Sequence, residues 1–243
     1  MIVSWFLIVG GLYTATMIIG PTTGGGLPYF FMYAIVTATL FGVGIPLYWM
    51  VIVRKRPISD LGITSRRLGL SLVIQVILAI LLFLSRLREL NSPALEELIP
   101  LIALVLAIGF FEALFWRGWV QLRLEEAFGI LPGIVLGAAL YAVYHIGYGM
   151  PMSEIAFLFV IGLVFASVFR LIKNIFILWP LFQPIGQLIT LINDGLSLPL
   201  LAAIGFLEVL VLMLGLVWLA NRYYNKHAVI NPQRSGPVPV SGE

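Results

Sequence analysis

The chain has 243 residues, 61% of them hydrophobic and only 10% charged, with a mean hydropathy of +1.07 and a formal net charge of +3. A soluble domain of this length needs far more polar surface to stay dissolved, which excludes an aqueous globular protein. Cysteine is absent, which removes disulfides, thiolate metal sites and cysteine nucleophiles, and no basic stretch interleaved with aromatics points to nucleic acid.

What remains is an all-α fold, a polytopic membrane helix bundle. A crossing needs roughly 20 mostly apolar residues. On that rule, spans fall near 2–20, 28–53, 69–85, 99–124, 131–150, 154–173, 175–192 and 199–221. The first has no basic leader and no small-residue cleavage site, so it reads as a retained span. The main charged loop runs from Arg54 to Arg67 and carries the turn residues Pro57 and Gly62. Residues 1–221 read as one transmembrane domain, and 222–243 as a polar, disordered cytoplasmic tail rich in Gly, Pro and Ser.

Lys and Arg set the expected orientation. With eight spans, one side collects Arg54, Lys55, Arg56, Arg66 and Arg67, then Arg123, Arg170 and Lys173, and finally Arg222, Lys226 and Arg234. The other side holds only Arg86 and Arg88. The richer side is expected to be cytoplasmic, with both termini on it.

Ionisable groups inside a bilayer cost several kcal/mol unless paired or solvated, so each needs a reason. They are Glu112 and Arg117 in the fourth span, His145 in the fifth and Glu208 in the last. Gln183 and Gln187 in the seventh, and Gln75 in the third, add neutral polar groups. In an α-helix Glu112 and Arg117 stand about 140° apart, and the position one turn before Arg117 is Ala113. Arg117 therefore needs another acceptor: Glu112 by a long reach, a carbonyl, or Glu125 or Glu126. Tyr141, one turn before His145, is placed for its hydroxyl to orient the imidazole.

The only other histidine is His227 in the tail, so a multi-histidine zinc site is not expected, and no cofactor is. A carboxylate and an imidazole can instead share a water, Glu112 taking its proton as the oxygen attacks a carbonyl. Gln183 and Gln187, at i and i+4, put two amides on one helix face, either to donate to a developing oxyanion or to glue helices together. Glu112, His145 and the glutamine pair are expected to converge.

The order Glu-x-x-x-x-Arg-Gly, then aromatic-x-x-x-His, then a polar i, i+4 pair two spans later resembles the CPBP family. These are the CAAX-protease and bacteriocin-processing membrane proteins, also called Abi, which include the type II CAAX prenyl endopeptidase. The resemblance covers residues 50–195, and Gln121, Gly162 and Asn174 fit its layout. Four positions depart from it: Ala113 replaces the second Glu of the first motif, Tyr141 stands for a Phe, and Gln183 and Gln187 stand for the third-motif His and Asn or Asp. The resemblance implies that Glu112 and His145 activate water while Gln183 and Gln187 hold the oxyanion, with Arg117 and Tyr141 supporting the site. It implies an intramembrane endopeptidase acting on a peptide or protein substrate. A non-catalytic scaffold or accessory subunit of a membrane complex, keeping the polar cluster for helix packing, is the other expectation. A transporter is a distant third.

Overall fold

The computed structural model describes residues 1–23, 26–90 and 93–229. Its helices are α1 (Ile2–Thr22), α2 (Gly26–Val53), α3 (Leu68–Glu89), α4 (Leu95–Phe128), α5 (Ile130–Tyr148), α6 (Met152–Ile172), α7 (Phe182–Asn193) and α8 (Leu201–Val229). No strand occurs among the described residues, and all of these helices except α7 are long and apolar enough to cross a membrane. The protein is an integral membrane helix bundle.

Segment 175–192 takes a different form from the other spans. Ile175–Ile177 is a 3-10 turn, the chain bends through Pro180, and the regular helix that follows has only 12 residues. Proline has no N–H to give a helix interior, but it is tolerated in a first turn, where Pro184 sits. The segment starts at the level of the Arg54–Arg67 loop, because Ile175 N donates to Gly62 O at 3.0 Å. It then runs alongside α3, first against Gln75 and next with Gly186 packed on Phe83. Seven continuous helices are therefore long and apolar enough to cross, while the segment expected as the seventh span is broken and holds a regular helix of only 12 residues.

The centre of the bundle is α4. Every residue from Gly109 to Leu122 is buried, including Phe110, Phe111, Phe115, Trp116 and Trp119. A helix that is apolar all round belongs inside a bundle, and this one is enclosed on every side. From Ala113 to Gln121 it winds as a π-helix. That form has more residues per turn than an α-helix, so Arg117 lies nearer the side of Glu112 than the α-helical offset of about 140° would put it.

Two contacts fix the loop after α2 against α4. Arg56 bonds Asp60 at 2.5 Å and Glu126 at 3.1 Å, and Arg123 reaches Glu126 at 2.9 Å. Such half-exposed pairs are worth at most about 1 kcal/mol each. The close approach at Gly118 is the firmer constraint: a Cβ there would lie 2.2 Å from the carbonyl oxygen of Leu61. At the other end of the chain, α8 continues through Val229, so the tail expected from residue 222 is helical for its first eight residues. The Tyr223 and His227 rings stack at 4.0 Å and extend the helix by an i, i+4 contact. Residues 230–243 lie outside the described residues.

Candidate active site

Glu112 ends the regular part of α4 near the middle of that helix and is 3% exposed. Its carboxylate is held from two neighbouring segments. Tyr144 donates its hydroxyl to Oε1, while Gln183 Nε2 and Gln187 Nε2 both donate to Oε2, at 2.5 and 2.7 Å. All three partners are neutral, so the carboxylate is satisfied without a salt bridge.

The helix spacing that lets the glutamines reach Glu112 depends on Gly109. A Cβ there would approach Pro184 Cγ to 2.9 Å, so α4 and α7 touch backbone to ring one turn from the carboxylate. Gln75 anchors the start of α7. Its Oε1 accepts from Leu181 N at 3.0 Å and Phe182 N at 3.4 Å, satisfying donors that the break at Pro180 leaves without helical partners. Trp179 Nε1 donates to Leu106 O at 2.9 Å and ties the same bend to α4.

His145 sits in the 3-10 turn Tyr144–Tyr148 that ends α5. Its Nδ1 lies 3.0 Å from Tyr141 O and 3.3 Å from Ala142 O. Carbonyl oxygens only accept, so Nδ1 carries a proton, and in the neutral form of the ring Nε2 is the acceptor. The ring is thus oriented by the backbone of Tyr141, not by its hydroxyl. The His145 ring packs, tilted by 52°, against the Tyr144 ring at 4.1 Å between centroids and makes no hydrogen bond to Glu112 among the described residues. Tyr144 stands between them as the residue that touches both.

Arg117 is 1% exposed, and its Nη1 and Nη2 have no hydrogen-bond partner. None of the acceptors expected for it is used. Its guanidinium lies 5.1 Å from the Tyr141 ring centroid, a cation–π contact, and within electrostatic range of Glu112. Glu125 instead accepts from Gln121 Nε2 at 2.9 Å and pairs with Arg170, and Glu126 belongs to the Arg56 network. Glu208 is exposed on α8, away from the cluster. His227, at the far end of α8, is exposed as well.

The structure thus brings Glu112, Gln183 and Gln187 into direct contact, with His145, Tyr141 and Arg117 in the surrounding aromatic shell. It adds Tyr144, which the motif spacing passes over in favour of its neighbour His145. The signal available was a tyrosine hydroxyl in an apolar span, which needs a partner when buried. Among the described residues no three His, Asp or Glu side chains form a metal-ligand group.

Asn174 and Gly162, two of the three layout residues of the resemblance, have structural roles. Asn174 Nδ2 donates to Thr64 O and Arg66 O at 3.0 and 3.1 Å, and its Oδ1 caps Phe176 N. Gly162 lets α6 lie against Ala138 and Tyr141 of α5.

No curated protein and no solved structure matches this chain. Residues 94–182 match the family model described as type II CAAX prenyl endopeptidase Rce1-like. That segment holds Glu112, Arg117, Tyr141 and His145, and it stops one residue before Gln183. Over residues 94–182, this membrane protein is similar to the Rce1-like type II CAAX prenyl endopeptidases.

Proposed function

We propose that the protein is an intramembrane endopeptidase of CAAX-protease-like type, with Glu112 and His145 activating the attacking water. The observation that carries this reading is the Glu112 carboxylate, buried at the middle of the bundle, held only by neutral donors and sharing Tyr144 with His145. A carboxylate kept at this depth without a salt-bridge partner is costly, which favours a use for it.

The chemistry follows from the donors. Water loses a proton to Glu112 while its oxygen bonds the scissile carbonyl carbon, and Nε2 of His145 accepts a hydrogen bond from the same water. Gln183 and Gln187 turn their N–H groups from Glu112 to the carbonyl oxygen as it gains charge. The C–N bond then breaks, and Glu112 returns the proton to the leaving amine. On this reading the face bearing the Arg54–Arg67 loop is cytoplasmic, as its excess of Lys and Arg requires, and both termini lie there. Substrate peptides reach the site from that side.

One observation favours the second reading, a non-catalytic scaffold. Gln183, Gln187 and Tyr144 each give a donor to Glu112, so the cluster ties three helical segments together as a packing device would. A cleavage assay separates the two. Purified protein in lipid, offered a library of membrane-anchored peptides, is expected to cut a defined bond, and Glu112→Ala to stop it. Folded protein that cuts nothing, or cutting that survives Glu112→Ala, would overturn the peptidase reading.

A further inference from the structure

Away from the carboxylate cluster, α2 and α8 diverge and leave a groove of about 480 Å³ on the outer surface of the bundle. Its walls are apolar, built from Leu47, Tyr48 and Ile52 of α2 and Leu216 and Leu219 of α8. One end is closed by Arg222, Tyr223 and Lys226. That end lies on the same face as Arg54 and Lys55, since Ile52 is two residues before them. The groove therefore runs from apolar depth to a basic rim.

The two cations at the rim are unpaired. Neither Arg222 nor Lys226 forms a salt bridge among the described residues, and Arg222 only faces the Trp218 ring at 5.3 Å. At i and i+4 they share one helix face, where like charges repel. An anion seated between them removes that repulsion. Trp218, 56% exposed and one turn before Arg222, is an aromatic side chain of the kind common at a membrane interface.

We infer that this groove binds one anionic phospholipid, its phosphate between Arg222 and Lys226 and an acyl chain along Leu47, Ile52, Leu216 and Leu219. An apolar wall continuous with a two-cation end suits an amphiphile and not a free anion. The volume falls in the range of small-molecule sites. The inference stands apart from the peptidase reading, because no residue of the Glu112 cluster lines the groove.

The test is native mass spectrometry of the detergent-purified protein. It is titrated with equal amounts of phosphatidylglycerol and phosphatidylcholine carrying the same acyl chains. One phosphatidylglycerol is expected to be retained in preference. Each basic group near an anionic lipid contributes about a fivefold preference, so Arg222→Gln with Lys226→Gln should cut retention about 25-fold. Leu219→Trp, which fills the groove with both charges intact, should also displace the lipid, whereas inorganic phosphate should not compete. Arg54→Gln with Lys55→Gln, outside the groove, should leave retention unchanged. Melting temperatures of all variants establish that each is folded. Equal retention of phosphatidylcholine, loss from the Arg54 and Lys55 pair as large as from Arg222 and Lys226, or no effect of either groove variant would overturn the assignment.

Discussion

Tyr144 donates its hydroxyl to Glu112 across 32 positions of sequence, and its ring packs, tilted, against His145 at 4.1 Å. One tyrosine thereby links the carboxylate of α4 to the imidazole that ends α5. Removing that hydroxyl leaves Oε1 of a buried carboxylate without its partner. Tyr144→Phe should cost about 1–3 kcal/mol of stability, read as a lower melting temperature in detergent. On the peptidase reading it also lowers the rate without changing which bond is cut. A variant as stable and as active as the parent would show that the bond contributes nothing.

Giving the chain the third motif of the family it resembles tests catalysis directly. Gln183→His with Gln187→Asn should raise peptidase activity, since losing one good oxyanion donor costs about 100- to 1000-fold and a poorer pair leaves room for recovery. Glu112→Ala in the same background should abolish the gain. If the restored variant stays inactive on every peptide while Glu112→Ala leaves the native cellular phenotype intact, the scaffold reading takes its place.

Gln75 holds the break before α7 by accepting from Leu181 N and Phe182 N. Gln75→Leu keeps the volume and removes the acceptor, so two backbone donors in a buried bend lose their partner. The expected loss is about 1–3 kcal/mol, with α7 and both glutamines displaced from Glu112. Thermal unfolding measures the first effect. Crosslinking between paired cysteines at the α4–α7 contact, introduced into a chain that has none, measures the second.

Gly118 meets the carbonyl oxygen of Leu61 with no room for a methyl group. Backbone lies on both sides of this contact, so neither partner gives way easily. Gly118→Ala should destabilise by about 1–3 kcal/mol, as overpacking of a close-packed core does. A melting temperature within error of the parent would show that the loop is free to shift.

Membrane orientation is open to a clean experiment because the chain contains no cysteine. Ser59 is exposed on the loop after α2, and Ser197 is exposed between α7 and α8. In intact cells an impermeant maleimide should label Ser197→Cys directly and Ser59→Cys only after permeabilisation. The reverse pattern would place the basic loop outside.

Composition and apolar run length were enough to establish the membrane class and the position of every continuous span. Hydrocarbon leaves a spanning chain few alternatives to helices, and a helix of given rise needs a given length. Because polar residues are so expensive there, Glu112, Arg117, His145, Gln183 and Gln187 stood out as singular positions, and the resemblance followed from their order. Their pairing could not be read the same way. Helix-wheel angles assume a regular α-helix, and α4 turns π-helical right after Glu112 while α5 tightens into a 3-10 turn at Tyr144. Those two changes of pitch brought Arg117 toward the side of Glu112 and put Tyr144, not His145, on the carboxylate. Arg117 settled on an aromatic face and Gln75 on a broken helix end, because the neighbour that satisfies a buried polar group is chosen by how helices pack. That choice belongs to the tertiary structure alone.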